Sequence, residues 1–218
     1  MNAERRQKTM RDDIPSSLIF DYTVLEYVSA GASILDVGCG MGKLCSNLSD
    51  RGYQCTGIDC SIDAIEAARL ITKCSFVNGD AAKLPFPNNN FDLVICQAVF
   101  TNWTEEAYRQ AVIREIQRVL KPLGLLYLAD FAQTWHNEEY RQRYLRFYNE
   151  TGEYGLFSRE RSDGTGVDWY KHFSPKEITD LYMDAGFTTE KYTELPVRTR
   201  TGRIATGYVI LCRNKQNK

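Results

Sequence analysis

The feature that most constrains this chain is a turn in which glycine occupies every second position, at Gly38, Gly40 and Gly42. The turn follows Ser33–Val37, an apolar run that predicts a short buried strand, and it precedes a helical pattern that ends near Gly52. Glycines between a strand and a helix let the backbone turn sharply, and they allow a ligand to lie against it without Cβ clashes. The turn therefore indicates a ligand site over a strand-turn-helix unit.

Two nucleotide-binding patterns fit this turn poorly. A phosphate-binding P-loop needs four residues between its first glycine and a Gly-Lys pair that precedes Ser or Thr. Here three residues separate Gly38 from Gly42, and Leu44 follows Lys43. A dinucleotide-binding turn needs glycine or alanine three positions after its second glycine, where this chain has Lys43. The first pattern is excluded and the second is weakened, so NAD(P)-linked oxidoreduction on a similar sheet stays open as an alternative.

The rest of the chain predicts further short strands separated by helical patterns. Buried-strand candidates follow at 53–58, 75–77, 91–96 and 125–130. Strands that alternate with helices are typical of a parallel sheet built from βαβ units. Two last strands, at 187–194 and 203–213, are expected to form an antiparallel pair.

Several residues mark where the helices begin. Ser61 and Thr104 are candidate N-caps, and Ser174 followed by Pro175 is a strong start signal for a late helix. No stretch rich in proline or glycine divides the sequence, which favours a single domain over residues 1–218.

Composition restricts the class of partner and the compartment. The 27 Lys and Arg residues balance 28 Asp and Glu, so the net charge of −1 argues against a nucleic-acid partner held by phosphate neutralisation. The seven cysteines are odd in number and never at C-x-x-C spacing, which favours a reducing compartment. No apolar stretch approaches the ~20 residues of a membrane span, and the charged N-terminus lacks a signal-like apolar core. We therefore expect a cytoplasmic protein without a membrane partner, and the oligomeric state stays open.

The order Asp36-x-Gly38-x-Gly40-x-Gly42 resembles the first motif of class I S-adenosylmethionine-dependent methyltransferases. The similarity continues through TGIDCS at 56–61, GDA at 79–81, LPF at 84–86, FDLV at 91–94, LKPLG at 120–124 and the stretch from 173 to 187. It implies an α/β fold: a Rossmann-like, seven-stranded, mostly parallel sheet with helices on both faces. The last strand pair is antiparallel, and a cap insertion at 131–173 follows strand five.

The resemblance also implies the cofactor, S-adenosylmethionine, and the residues at its methionine and ribose parts. The three glycines pass close to the methionine part, together with Cys39. Asp36 orders the turn or reaches the amino group of the cofactor, and Gln97 lies beside the methionine end. Asp59, next to Cys60, accepts hydrogen bonds from both ribose hydroxyls. A carboxylate at the carboxyl end of a parallel strand beside the glycine turn does lie in the ligand crevice of such folds.

The adenine contacts implied by the resemblance are Ile62, Asp80 and Ala81. Ile62 packs on the adenine ring, Asp80 faces its exocyclic amine, and Ala81 contacts its edge. Taken alone, Asp59 is equally well a helix cap and Ile62 a core residue. Their joint appearance in the family's order favours the binding interpretation.

The implied reaction is methyl transfer to N, O or C of a small-molecule acceptor. Metal-dependent members of the family use acidic residues after the fourth strand, where this chain has Gln97 and Asn102, so we expect no metal. Eleven of the 26 aromatic residues fall between 131 and 173, which favours an apolar or planar acceptor under this segment. A non-catalytic S-adenosylmethionine-binding module is the remaining alternative.

Both histidines, His136 and His172, lie in the predicted cap. A base that acts near neutral pH is most simply a histidine. We select His172 as the candidate catalytic base because it follows Trp169 and Tyr170, where the cap rejoins the core. The alternative for each histidine is a surface or hydrogen-bonding role.

Overall fold

The protein is described here by a computed structural model over residues 18–161, 164–199 and 202–215. The strands in these residues are β1 (Ser33–Val37), β2 (Gln54–Asp59), β3 (Ser75–Asn78), β4 (Phe91–Gln97), β5 (Leu120–Phe131), β6 (Leu156–Glu160), β7 (Val167–Lys171), β8 (Phe187–Arg198) and β9 (Ile204–Asn214). Seven of them form one sheet in the order β3-β2-β1-β4-β5-β9-β8, and β6 and β7 form a separate hairpin.

The α-helices are α1 (Lys43–Asp50), α2 (Ile62–Ile71), α3 (Glu106–Val119), α4 (Glu138–Thr151) and α5 (Pro175–Asp184). Two short 3₁₀ helices occupy Tyr22–Tyr27 and Phe100–Asn102. Every helix within the described residues is too short or too polar to span a lipid bilayer.

The sheet is parallel from β3 to β5 and antiparallel at its other edge. β1 pairs in parallel with β2 and β4, while β3 and β5 extend the parallel part. β9 runs antiparallel to both β5 and β8. The predicted mostly parallel, seven-stranded sheet with an antiparallel last pair is therefore confirmed.

Residues of the central strands alternate between two hydrophobic layers, one on each face of the sheet. In β4, Leu93 and Ile95 pack in the layer that also contains side chains of α1, α2 and α4. Val94 and Cys96 pack in the opposite layer, with side chains of α3 and α5. This alternation is the period of two that a strand imposes, and it confirms the expected helices on both faces.

The helix starts agree with the sequence at two of three positions. Ser61 caps α2 by accepting from the Ala64 backbone N–H, and Ser174 forms a reciprocal capping box with Glu177 at the start of α5. The expected cap at Thr104 is wrong. Glu105 occupies the N-cap of α3 and makes no side-chain capping bond, because the helix begins one residue later than the pattern predicts.

The segment 131–173 leaves the sheet at the end of β5 and returns just before α5. It contains α4 and the β6–β7 hairpin. An isolated parallel bridge pairs Ala132 with Phe173, so the two ends of the segment lie side by side. The segment is thus a continuous stretch of chain between β5 and α5 that adds no strand to the seven-stranded sheet.

Candidate active site

A cavity of ≈ 870 Å³ opens at the carboxyl ends of β1, β2 and β4. Val37 of β1 pairs with Ile58 of β2 on one side and with Cys96 of β4 on the other. The three strands therefore reach the cavity at one level, and the next residues along them are Gly38, Asp59 and Gln97. All three line the cavity, as do Asp36, Cys39, Gly40, Cys60 and Ala81.

The glycine turn combines close packing with one open position. Gly38, Gly40 and Gly42 have positive φ angles of 74°, 51° and 74°, which other residues rarely adopt. A Cβ on Gly38 would lie 2.2 Å from Val99 Cγ1 and one on Gly42 2.6 Å from Phe76 Cζ, whereas one on Gly40 meets no atom within 4 Å. Gly38 and Gly42 thus allow the turn to pack on protein, and Gly40 borders open space.

Asp59 ties this turn to the end of β2. Its Oδ2 accepts from the Gly40 backbone N–H at 2.9 Å, and its Oδ1 accepts from the Ser61 backbone N–H at 2.9 Å. The side chain is 3% exposed, and this burial raises the pKa of the carboxyl group. The backbone and thiol of Cys60 also lower the pKa of Asp59 by hydrogen bonding, so the carboxylate is an acceptor for several donors at once, as carboxylates commonly are.

Gln97 approaches the same turn from β4. Its Nε2 donates to the Leu18 carbonyl at 2.7 Å, which orients the side-chain amide. Its Oε1 is buried and has no hydrogen-bond partner among the described residues. A buried acceptor without a donor costs free energy, so Gln97 is a place where a bound ligand would supply a missing bond.

The residues expected around adenine divide into two groups. Gly79 and Ala81 line the cavity. Asp80 is not among the residues that line the cavity. Its carboxylate accepts from the Tyr108 hydroxyl at 2.5 Å and from the Ala82 backbone N–H. Ile62 is 38% exposed and also outside the lining, like Gly42. The cavity therefore meets this region through backbone and small side chains.

Aromatic rings form the other end of the cavity. They come from the end of β5, from α4 and from the hairpin: Phe131, Tyr140, Phe157, Trp169 and Tyr170. Trp169 also packs edge-on against Phe147, with ring centroids 5.4 Å apart. The same cavity thus joins the glycine turn to the aromatic segment that the sequence singled out.

His172 lines the cavity in the middle of these rings. It stacks on Phe131 at 5.1 Å, and its Nδ1 lies 2.7 Å from the Tyr144 hydroxyl. Burial, with a contribution from the Arg143 charge, lowers the pKa of the imidazole to about 3. His136, in contrast, is exposed.

Tyr144 contacts the Nδ1 side of His172. The Thr134 backbone N–H donates to the Tyr144 hydroxyl at 3.2 Å, and the same hydroxyl is hydrogen-bonded to Nδ1, in a direction that depends on the imidazole tautomer. Burial keeps the imidazole neutral, so Nε2 carries a proton in one tautomer and a lone pair in the other. The general base expected from the sequence therefore stays a prediction.

Arginine side chains at the aromatic end were not identified from the sequence. The cavity lining includes Arg143 of α4, Arg159 and Arg161 near the hairpin, and Arg203 just before β9. They belong to no motif, and the only signal was the frequency of arginine within 131–173. Arg203 lies 30 residues further along the chain, so only folding brings it to the others.

The loop after β4 is held by a buried carboxylate that the sequence also did not reveal. Asp130, at 1% exposure, accepts from the Thr101 backbone N–H at 2.9 Å, and burial raises its pKa to about 6. The Thr101 hydroxyl donates to the Lys171 carbonyl at 2.9 Å. This pair therefore connects the strand ends to the β6–β7 hairpin. In the described part of the chain, no group of three or more His, Cys, Asp or Glu side chains could hold a metal ion.

Comparison with known proteins identifies the family. A family model of a methyltransferase domain matches residues 35–128. A crystal structure of a SAM-dependent methyltransferase from Methanosarcina mazei superposes with a TM-score of 0.85 at 32% identity, covering 91% of this chain and 99% of that one. The chain belongs to the S-adenosylmethionine-dependent methyltransferase family. The cofactor of this family is the one that the glycine turn and its neighbours implied.

Two curated members of the family are similar over part of their length. A 2-methyl-6-phytyl-1,4-hydroquinone methyltransferase of Synechocystis is 31% identical over 64% of this chain and 45% of its own length. A ubiquinone/menaquinone biosynthesis C-methyltransferase of Shewanella frigidimarina is 26% identical over 76% of this chain and 70% of its own. The chain thus spans less than half of the first relative.

Proposed function

We propose that this protein transfers a methyl group from S-adenosylmethionine to a small-molecule acceptor. The observation that carries the proposal is the continuity of one cavity from the glycine turn to the ring of aromatic side chains. A cofactor at the strand ends and an acceptor among the rings would share that enclosed space. The two curated relatives have names that refer to a hydroquinone and to quinone biosynthesis, and these names support a small-molecule acceptor.

The residues at the strand ends fit the cofactor. The open face of Gly40 leaves room for its methionine part, with Gly38, Cys39 and Gly42 shaping the turn. The unpartnered Oε1 of Gln97 suits the amino group of the cofactor, and Asp36 would be the ionic partner of the same amino group.

The ribose and adenine would lie further along β2 and β3. Asp59, beside Cys60, lies at the cavity end of β2 and would accept from the two ribose hydroxyls. Ala81 and the backbone of Asp80 would meet the adenine edge, and the exposed Ile62 would be partly covered by the ring.

S-adenosylmethionine, when bound, supplies a methyl group already activated by its sulfonium. The protein then needs to hold the acceptor nucleophile about 3–3.5 Å from that methyl and to exclude water. The segment 131–173 would do both as a substrate cap, because its rings close the acceptor end of the cavity. His172 would contact the acceptor through its imidazole, either as a hydrogen-bonding group that orients it or as the base expected from the sequence.

The test compares ligands and then measures turnover. S-adenosylhomocysteine should raise the melting temperature of the purified protein, whereas NAD and NADP should not. With a panel of small ring compounds, S-adenosylmethionine should be converted to S-adenosylhomocysteine. Stabilisation by NAD alone would favour the oxidoreductase alternative. Binding without turnover across the panel would favour the non-catalytic module.

A further inference from the structure

The two ends of the cavity carry opposite charge. Asp36 and Asp59 lie at the cofactor end, where the lining also holds Lys43. At the aromatic end, the described lining holds four arginines and a single acidic residue, Asp168. An uncharged acceptor would not require this excess of guanidinium groups.

Arg143 is the arginine most closely built into the aromatic end. Its guanidinium carbon lies 5.4 Å from the ring centroid of Tyr140 and 5.2 Å from that of Phe157. Its Nη2 donates to Oε1 of Glu139, one helical turn away, at 3.1 Å. The two rings and the carboxylate hold the guanidinium in place, so its position does not depend on a ligand.

Arg203 shares the same carboxylate. Its Nε lies 2.8 Å from Oε2 of Glu139, so one glutamate connects two guanidinium groups and one positive charge remains unbalanced. A guanidinium group has five N–H donors. Among the described residues, Arg143 and Arg203 each direct only one side-chain nitrogen at an acceptor, which leaves donors on both side chains for a bound anion.

His172 places a further hydrogen-bonding group among the same rings. Its imidazole centroid lies 4.9 Å from that of Phe157 and 5.4 Å from that of Tyr140, the two rings that also flank Arg143. Its Nδ1 is hydrogen-bonded to the Tyr144 hydroxyl, so Nε2 is the ring nitrogen left for a ligand. Arg161, in contrast, is matched by Asp168 at 2.9 Å and adds little net charge.

We propose that the acceptor is a planar ring compound with a carboxylate, and that Arg143 and Arg203 bind the carboxylate while the surrounding aromatic side chains hold the ring. The inference rests on the proposed function, since it names the substrate class of the same cavity. A guanidinium fork matches the geometry of a carboxylate, and partial burial among rings strengthens the pairing. The imidazole of His172 would hydrogen-bond to the same molecule.

The experiment measures binding rather than turnover. Isothermal titration of the protein saturated with S-adenosylhomocysteine would use matched pairs of aromatic acids and their amides, such as 4-hydroxybenzoate with 4-hydroxybenzamide and 2-naphthoate with 2-naphthamide. At least one acid should bind about tenfold more tightly than its amide, as expected for a partly buried ion pair. Phenyl phosphate is included, and tighter binding of the phosphate than of every acid would overturn the choice of carboxylate.

Variants test which arginine causes the preference for an acid over its amide. Arg143→Gln should reduce the preference for acid over amide to about threefold or less, and Arg203→Gln should weaken it by a smaller factor. Arg141→Gln is the matched control, because Arg141 lies on the same helix, pairs with the exposed Glu138 and is outside the described cavity lining. It should leave the preference unchanged.

Two outcomes separate the inference from the function on which it rests. If the wild-type protein binds S-adenosylhomocysteine but no acid is preferred over its amide, the anionic acceptor is wrong and methyl transfer is unaffected. If it does not bind S-adenosylhomocysteine at all, the proposed function itself is wrong. If Arg143→Gln fails to fold, the preference of Arg203→Gln for acid over amide is the deciding measurement. The Arg203 side chain is 44% exposed, so the fold should tolerate this substitution.

Discussion

Asp36 and Asp59 are two buried carboxyl groups at one end of the same cavity, and the charge of Asp59 affects the ionisation of Asp36. Each is 3% exposed. The pKa of Asp36 is raised to about 7, mainly by burial, with a hydrogen bond from Cys45 that lowers it and the charge of Asp59 that raises it. Two buried acids side by side favour a ligand that brings positive charge to them, as the amino group of the proposed cofactor does.

The first prediction concerns the pH dependence of cofactor binding. Below about pH 7 Asp36 is protonated in the free protein, so pairing it with an ammonium group must release that proton. Affinity for S-adenosylhomocysteine should therefore rise by up to about tenfold per pH unit towards pH 7 and then level off. Titration calorimetry between pH 5.5 and 8.5 would show it. In Asp36→Asn the slope should disappear, and a wild-type profile that is already flat would contradict the assignment.

The second prediction is that the raised pKa of Asp36 makes the stability of the ligand-free protein depend on pH. The folded protein holds a proton on Asp36 up to about pH 7, whereas the unfolded chain releases it near the ordinary value of 3.8. Between these values the folded state binds more protons, so the contribution of Asp36 to stability falls as pH rises. The free energy of unfolding of Asp36→Asn, relative to wild type, should thus increase from pH 4.5 to pH 7.5. Urea unfolding at both pH values measures this difference, and a constant difference would show that Asp36 is ionised in the folded protein.

A third prediction separates backbone strain at the glycine turn from loss of the cofactor. Gly40 and Gly52 both have positive φ, and a Cβ at either meets no atom within 4 Å. Only Gly40 lines the cavity. Gly40→Val and Gly52→Val should therefore show similar losses of stability, of the order of 1–3 kcal/mol for a strained backbone. Only Gly40→Val should lose binding of S-adenosylhomocysteine; normal binding would mean that this turn is not the floor of the cofactor site.

The fourth prediction concerns Asp59 and combines ligand affinity with stability. Asp59→Ala should weaken S-adenosylhomocysteine binding by about ten- to a hundredfold, since unpaired buried hydroxyls cost ~1–3 kcal/mol. The variant should also melt at a lower temperature, because Asp59 accepts from the backbone of Gly40 and Ser61. Asp63→Ala, an exposed change in the first turn of α2, is the control for loss of charge. Unchanged affinity by calorimetry would remove Asp59 from the ribose site.

The sequence was most informative where local pattern determines structure. The bounds of β1, the Ser61 cap and the start of α5 at Pro175 follow from apolar runs and capping residues. The positions of the glycines in the turn were also evident. Which glycine borders open space was not, because that depends on Val99 and Phe76, which reach the turn from other elements.

The aromatic end of the cavity could not be derived in the same way. The pairing of Arg143 and Arg203 through Glu139 joins α4 to the start of β9 across the fold. The properties of His172 depend on Tyr144, 28 residues away, and on burial among side chains from other elements. A histidine near a predicted pocket indicates possible acid–base chemistry, but its charge state follows from tertiary contacts that no local pattern records.

The last prediction tests His172 and Trp169 as a pair. Trp169 lines the acceptor end and contacts Phe147, while the proposed cofactor contacts lie on the sheet. Trp169→Ala should therefore lower turnover far more than affinity for S-adenosylhomocysteine.

His172→Ala should also lower turnover, and by the same factor from pH 5.5 to pH 8.5, because an imidazole with a pKa of about 3 stays neutral throughout. Tyr144→Phe removes the hydroxyl that is hydrogen-bonded to Nδ1 of His172, and it should lower turnover while the cofactor affinity is unchanged. A loss in His172→Ala that shrinks as pH rises would instead restore the general base that the sequence suggested. The profiles require an acceptor, so they follow the binding screen of aromatic acids.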